Sequence, residues 1–192
     1  MRRLLTRVTV IGTAILAALA LGSYALAATS TRAAPATPAK LAATVPGCTA
    51  GALGVWVAVS QSNGAAGTIY YPLEFTNISG HTCSLHGYPG VSALAQNGSQ
   101  LGNPAAWGGI ASIPVRTVTL APGQTGHSVL AYSDAAVGST TSTAYAARLR
   151  IYPPNQSQAT YTFWSLKGIT VKGMTYLRVS PAEAGIGLIG NM

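Results

Sequence analysis

The sequence predicts an all-β fold, an antiparallel β-sandwich. Apolar residues alternate with polar ones over short segments, Pro-Gly and Asn-Gly pairs separate these segments, and no helical period follows the N-terminal apolar run. About eight short strands at regular spacing are typical of a sandwich, so we expect an immunoglobulin-like architecture.

Four segments show most clearly the period of two that marks a half-buried strand: residues 53–60, 68–75, 147–152 and 175–179. Weaker patterns predict further strands at about 91–96, 115–120, 127–133 and 161–166. Pro72 lacks a backbone N–H, so we expect its strand to lie at a sheet edge or to carry a bulge at that residue.

Three turn signals fall between these strands. Pro89-Gly90 and Pro122-Gly123 match a type II turn, in which glycine takes the position of positive φ. Asn97-Gly98 is a strong short-range signal for a β-hairpin. The turns therefore divide the chain where the strand pattern does.

The N-terminus carries the pattern of a secretory signal. Three arginines within the first seven residues precede an uncharged apolar run at 8–21, and Ala25-Leu26-Ala27 matches a small-residue cleavage site. We therefore predict a signal peptide over residues 1–27 and a protein that is secreted, extracellular or associated with the cell wall. The alternative is an uncleaved membrane anchor, because residues 8–28 carry no charge over a length that spans a bilayer.

The rest of the chain divides into a linker, one domain and a tail. Cleavage after residue 27 removes three arginines and no acid, which lowers the formal charge from +8 to +5. Residues 28–45 are rich in Ala, Thr and Pro and cannot bury a core, so we expect an extended linker. One domain then covers residues 46–181, and residues 182–192 form a flexible tail.

Cys48 and Cys83 are the only cysteines in the sequence. An even count in an exported chain favours a disulfide, which here would fasten the incoming chain to the end of a sheet. This position differs from the immunoglobulin disulfide, which joins facing strands next to a tryptophan. The alternative is a pair of metal ligands, but Cys-x-x-Cys spacing is missing.

Residues 75–91 read Phe-Thr-Asn-Ile-Ser-Gly-His-Thr-Cys-Ser-Leu-His-Gly-Tyr-Pro-Gly-Val. This block resembles the signature of a secreted actinobacterial family of domains of unknown function, numbered four-two-three-two in domain catalogues. The turn at 120–123 and the strand end at 149–154 extend the resemblance over residues 48–154. The resemblance implies bacterial export and the fold, but it carries over no functional residue. Family members often have a second cysteine pair, which this chain lacks.

Catalytic patterns are weak. Glu74, Asp134 and Glu183 are the only acids, and their positions do not predict the close carboxylate pair that glycoside hydrolysis needs. Gly126-His127-Ser128 begins like a nucleophile elbow, but that elbow requires a glycine two residues after the serine and a helix behind it. A secreted hydrolase in which this histidine and serine converge with Asp134 is the enzyme alternative.

Metal and cofactor sites are not indicated. His81 and His86 flank Cys83, but they make a poor set of metal ligands once the thiol is in a disulfide. Gly185 to Gly190 matches a dinucleotide-binding pattern without the strand and helix that such a site needs. We therefore expect neither a metal nor a cofactor.

Basic and aromatic residues alternate with apolar ones on two predicted strands, 147–152 and 175–179. If these strands are sheet neighbours, they form one candidate binding face: Arg148, Arg150, Tyr152, Tyr176 and Arg178. Arginine suits bidentate contact with phosphate or carboxylate, and tyrosine offers a flat surface for sugars or peptides. The alternative is that these residues are ordinary solvated side chains.

The leading hypothesis is an exported, non-enzymatic module of the cell envelope, with anionic envelope polymers or another envelope protein as partners. Nucleic acid is a poor partner for an exported protein, and we expect membrane contact only through an uncleaved signal segment. A sensor or inhibitor domain that binds another protein is a further class, and it would show a contiguous exposed apolar patch. The oligomeric state does not follow from the sequence.

Overall fold

The computed structural model describes residues 44–187, so the predicted signal peptide, most of the linker and the last five residues lie outside the described part. The strands in chain order are β1 Leu53–Val57, β2 Asn63–Ala65, β3 Thr68–Asn77, β4 Cys83–His86, β5 Gly90–Ala95, β6 Gln100–Leu101, β7 Ala106–Trp107, β8 Thr117–Leu120, β9 Thr125–Tyr132, β10 Thr143–Tyr152, β11 Thr160–Phe163, β12 Lys167–Ile169, β13 Leu177–Val179 and β14 Glu183–Ala184. One short helix, α1, covers Asp134–Gly138, and single 3₁₀ turns cover Ala50–Ala52 and Val59–Gln61. Between residues 44 and 187, no helix has the length and apolar character needed to cross a bilayer.

Two main sheets form the layers of the fold. The larger sheet has the order β1-β3-β9-β13-β7, with β2 added to β3 and β14 to β9. The smaller sheet has the order β11-β10-β5-β6, with β12 added to β10, and β4 pairs with β8 in a separate ladder. Each of the eight predicted segments contains a strand, and the all-β sandwich prediction is confirmed. One pair of strands departs from the predicted antiparallel arrangement, because β13 and β7 run parallel.

The core lies between the two sheets and is built by the alternation of side chains. Leu73 and Phe75 on β3 and Leu130 on β9 point inward from the larger sheet. Leu149 and Ile151 on β10 point inward from the smaller sheet, and all five side chains are completely buried. Burial of large apolar side chains stabilises a fold by about 1.5–3 kcal/mol each, so these positions fix which face of each strand is internal.

An aromatic cluster closes one end of this core. Trp164 meets Tyr71 edge-to-face at 5.2 Å between ring centroids, and Tyr132 packs against Trp164 and Tyr176 at 6.1 Å each. The Tyr132 hydroxyl donates to the Lys167 carbonyl at 3.0 Å. Burial, together with the charge of Asp134, raises the pKa of Tyr132 to about 12, so the hydroxyl stays protonated and remains a donor.

Pro72 lies in the middle of the larger sheet, so the prediction of an edge or bulged strand is wrong. It pairs with Val129 of β9 on one side of β3. On the other side its carbonyl accepts from the Ala58 N–H at 2.9 Å, at a point where β1 has ended and β2 has not begun. The nitrogen and the carbonyl of a strand residue point to the same side, so the missing donor faces this gap in the ladder and costs no strand pairing.

The turns follow the prediction in two of three cases. Gly98 and Gly123 have φ of 81° and 78°, as the Asn-Gly hairpin and the second Pro-Gly turn require. Gly90 is instead the first residue of β5, and the positive φ of that region belongs to Gly87 at 91°. The type II prediction for Pro89-Gly90 is therefore wrong, because the bend comes two residues before the proline.

Cys48 and Cys83 form the predicted disulfide, with Cα atoms 4.8 Å apart. Backbone hydrogen bonds reinforce it, since the Cys48 N–H donates to the Ser84 carbonyl and the Ser84 N–H donates to the Pro46 carbonyl, both at 2.8 Å. The bond therefore fastens the incoming chain to β4, which in turn pairs with β8.

The ordered domain extends beyond the boundary predicted at Pro181. Ala182 is buried, and Glu183 and Ala184 form β14, which pairs with His127 and Gly126 of β9. The prediction of a flexible tail is therefore wrong for residues 182–187. β13 pairs with β9 only at residues 130–132, so β14 can pair with the earlier part of β9, and composition does not reveal such a long-range pairing.

Removing the disulfide should lower the stability of the protein substantially. For a sequence separation of 35 residues, the chain-entropy model gives about 4 kcal/mol as an upper figure. We expect the Cys48→Ser/Cys83→Ser double variant to unfold about 10 °C lower than the parent when followed by circular dichroism. Reducing agent should lower the melting temperature of the parent to that of the variant. An equal melting temperature for reduced and oxidised parent would contradict this role.

Candidate binding face

The outer side of β10 presents the basic residues predicted for it. Because Leu149 and Ile151 face the core, Arg148, Arg150 and Tyr152 face outward. These three residues therefore lie together on the outer side of the smaller sheet, and their role in binding stays a prediction.

Two neighbouring residues of β11 complete the centre of this face. In the register of β10 and β11, Arg148 stands opposite Phe163 and Arg150 opposite Tyr161. The Arg148 guanidinium carbon lies 5.0 Å from the centre of the Tyr161 ring, within cation–π range. Phe163 is 77 % exposed, although a phenylalanine is normally buried.

Two further cation–aromatic pairs involve a tyrosine of β10. The Arg150 guanidinium is 5.8 Å from the Tyr152 ring, and its Nη2 donates to Gln100 Oε1 at 2.8 Å. Beyond the irregularity at residues 146–148, Lys167 Nζ lies 5.7 Å from the ring of Tyr145. We define the cationic aromatic face by the cations and rings on the outer side of β10, β11 and β12: Tyr145, Arg148, Arg150, Tyr152, Tyr161, Phe163 and Lys167.

The other two predicted residues are not part of this face. Arg178 lies on β13, which pairs with β9 and β7 in the larger sheet, so the assumption that its strand neighbours β10 is wrong. Tyr176 is 2 % exposed, and its hydroxyl donates to the Leu101 carbonyl at 3.2 Å. It precedes β13 and therefore does not follow that strand's alternation, so its ring turns into the core.

Tyr145, Tyr161, Phe163 and Lys167 were missed in the sequence. Tyr161 and Phe163 alternate with threonines inside a predicted strand, which indicates that one face of this strand is aromatic and the other polar. Hydrophobicity alone would place the rings of Tyr161 and Phe163 in the core. In the structure both rings are exposed, and the adjacent Trp164 is buried. Only the pairing of β10 with β11 and β12 shows which cations these rings accompany.

The residues of the enzyme alternative do not come together. His127 and Ser128 are consecutive on β9 and point to opposite faces of the larger sheet. Ser128 is fully buried on the core side, opposite Leu73. Asp134 lies beyond the far end of β9, at the start of α1, so a Ser-His-Asp arrangement is not formed by these residues.

His127 belongs instead to a polar cluster that holds the C-terminal segment. Glu74, His127 and Glu183 are register partners on β3, β9 and β14, and His127 Nε2 lies 3.9 Å from Glu183 Oε1. His127 Nδ1 is 2.9 Å from the Gly185 carbonyl, and the Gly187 N–H donates to Glu74 Oε1 at 2.9 Å. β14 lies in the sheet beside β9, and these contacts hold residues 185–187 against the outer face of the larger sheet.

Close approach of this segment leaves the Glu74 carboxyl completely buried. A Cβ atom at Gly187 would lie 2.7 Å from the His127 ring and 2.8 Å from Pro72, so only glycine fits there. Glu74 Oε2 has no hydrogen-bond partner among the described residues. Burial raises the pKa of Glu74 above its ordinary value, although the Gly187 N–H and the nearby His127 partly oppose this effect.

A family model described as a domain of unknown function, DUF4232, matches residues 48–183. The chain belongs to the DUF4232 family. This confirms the resemblance drawn from the signature block, and the DUF4232 match runs from Cys48 through Glu183, so it includes the disulfide and all of β10 to β13. No curated protein and no solved structure matches the chain.

Replacing Glu74 should change how stability depends on pH. Because the pKa of Glu74 is raised in the folded state, the folded protein binds this proton more tightly than the unfolded chain does. The free energy of unfolding should therefore fall as the pH rises from 4.5 through the raised pKa. We expect Glu74→Gln, which keeps an acceptor for Gly187, to be more stable than the parent at neutral pH and to lose most of this fall.

The measurement is urea unfolding of both proteins at several pH values. Glu183→Gln is the matched control, because it makes the same substitution at a side chain that is 39 % exposed. Repeating the comparison with His127→Gln in both proteins shows how much of the difference in pH dependence requires the nearby imidazole. A Glu74→Gln variant with the parent's pH dependence would show that this carboxyl does not titrate differently on folding.

Proposed function

We propose that this protein is an exported, non-enzymatic module of the cell envelope that binds anionic glycopolymers through the cationic aromatic face. The observation that carries the proposal is the pairing of three cations with three aromatic rings on one side of the smaller sheet. Each of these pairs places a positive charge beside a flat aromatic ring, and the three pairs follow one another along β10.

The chemistry of the face suits a polymer that alternates sugar rings with acidic groups. Arginine and lysine bind phosphate and carboxylate through charge-assisted hydrogen bonds. Tyrosine and phenylalanine rings offer apolar surface for the faces of sugar rings, and the 77 % exposure of Phe163 leaves such a surface open. Several weak contacts along one strand favour an extended ligand over a compact one.

Charge distribution supports an anionic ligand. The sequence contains three acids, and none belongs to this face, since Glu74 and Glu183 lie on the larger sheet and Asp134 begins α1. Among residues 44–187, Arg148 and Arg150 form no ion pair. Asp134 lines a depression together with Tyr145 and Lys167, so it partly offsets the positive charge at that end of the face. A field of one sign attracts polyanions and weakens as salt is added.

Export is part of the proposal. The N-terminal pattern and the Cys48–Cys83 disulfide both suit an oxidising compartment outside the membrane. Outside the cell, wall polymers rather than nucleic acid are the abundant polyanions that a basic domain would meet.

Processing of the exported protein gives a direct test of its route. Cleavage after Ala27 predicts a mature N-terminus at Ala28, because the small-residue site lies just behind the apolar run. We expect intact-mass measurement of protein from culture fluid or cell wall to match residues 28–192. A membrane fraction in which the protein keeps residues 1–27 would contradict secretion and would support the anchored alternative.

Binding to the cell wall should depend on salt and on the cationic aromatic face. We expect the exported protein to sediment with purified cell walls at about 20 mM salt and to be released at about 500 mM, since screening shortens the range of the charges. Arg148→Gln/Lys167→Gln should bind about tenfold more weakly, and Phe163→Ala should weaken binding without changing its salt dependence.

Arg116→Gln/Lys172→Gln is the matched control for this experiment, because it removes one arginine and one lysine charge from exposed residues outside the cationic aromatic face. A loss of binding equal to that of Arg148→Gln/Lys167→Gln would show that only net charge matters. Tighter binding to single-stranded DNA than to cell walls at equal salt would favour a nucleic-acid ligand and overturn the proposal.

A further inference from the structure

The outer face of the larger sheet carries a groove that the proposed function does not use. Tyr70 on β3, Ala131 on β9 and Arg178 on β13 are register partners across three neighbouring strands. Their side chains point to the same face, so the small alanine lies between two long side chains and leaves a trough. We call this the Arg178 groove, and its volume is about 280 Å³.

Arg178 is the only charged residue among the described residues that line the groove. Four of the lining residues carry a hydroxyl group: Thr68, Tyr70, Ser133 and Thr175. The Ser133 hydroxyl accepts from the Ala136 N–H, and the Thr175 hydroxyl accepts from Asn103 Nδ2. Asp134 lines a separate depression that it shares with Lys167, and within residues 44–187 Arg178 forms no ion pair. The guanidinium is thus a positive group without a carboxylate to neutralise it.

A glycine turn lies close to the Arg178 guanidinium. Gly109 has a φ of 73°, and a Cβ atom there would lie 2.8 Å from Arg178 Nη1. Any other residue at this position would therefore strain the turn and push the guanidinium aside. The turn therefore requires glycine at this position, and Gly109 lines the groove beside the guanidinium.

We propose that the Arg178 groove is a binding site for a single carboxylate or phosphate group carried by a small, hydroxyl-bearing ligand. The guanidinium fork binds either oxyanion in a bidentate manner, and the surrounding hydroxyls can exchange hydrogen bonds with a polar ligand body. The volume lies just below the range of about 300–1,000 Å³ for small-molecule pockets, which suits one acidic sugar unit. The site is separate from the cationic aromatic face, because the two lie on different sheets.

The test is a titration of the full-length protein, isolated with its disulfide formed, with three probes at constant ionic strength. Galacturonate carries a carboxylate, galactose 6-phosphate carries a phosphate, and galactose carries neither. The readout is the NMR signal of the Ala131 methyl group at the floor of the groove, assigned with the Ala131→Gly variant. We expect a saturable shift with one or both acidic probes and none with galactose.

Two variants make the test specific. Arg178→Gln should weaken the binding of an acidic probe about tenfold or more, because it removes the charged fork. Arg148→Gln removes the same charge from the other sheet and should leave this affinity unchanged while it weakens binding to cell walls. If only one acidic probe binds, the experiment identifies the oxyanion. The absence of a saturable shift with both acids, an equal shift with galactose, or an affinity unaffected by Arg178→Gln would overturn the proposal.

Discussion

Burial of Leu149 and Ile151 between the two sheets determines where much of this protein's charge can lie. Both side chains are completely buried, and strand geometry then forces Arg148, Arg150 and Tyr152 to the outside. The same rule on β13 sends Arg178 outward from the opposite layer, since Leu177 and Val179 fill the core. A sandwich with basic residues between core positions on both sheets therefore displays its cations on two separate surfaces.

The two ends of the described domain, near Cys48 and Glu183, are attached to the sheets by different kinds of bond. A covalent bond and a short backbone bridge join the N-terminal part of the domain to β4. At the other end, β14 pairs with β9, and Glu74 and His127 hold the glycines that follow it. The buried Glu74 carboxyl makes this second attachment sensitive to protonation, whereas the disulfide responds only to reduction.

Local features of the fold could be predicted from the sequence. Eight strands, the Asn97-Gly98 hairpin and the disulfide follow from alternation, turn residues and cysteine count, which are properties of neighbouring residues or of composition. Strand order could not be predicted in this way, because it depends on pairing between segments far apart in the chain. Pro72 shows the same limit, since its place in a central strand is tolerated only because β1 and β2 leave a gap beside it.

The candidate site was predicted only as far as one strand allows. Arg148, Arg150 and Tyr152 share β10, so alternation alone places them together. Arg178 required knowledge of the sheet to which β13 belongs, and Tyr176 required knowledge of where that strand begins. Phe163 is exposed although phenylalanine is hydrophobic. Its position follows from the pairing of β10 and β11, which places it opposite the outward-facing Arg148.

We propose that a polyanion binds the outer side of the smaller sheet. The most direct measurement is an NMR map of chemical-shift changes when a soluble acidic glycan fragment is added at low salt. We expect the largest changes on β10, β11 and β12, including the ring of Phe163, and we expect them to disappear as salt is added. Changes that leave these three strands unaffected, or that persist undiminished at high salt, would contradict this proposal.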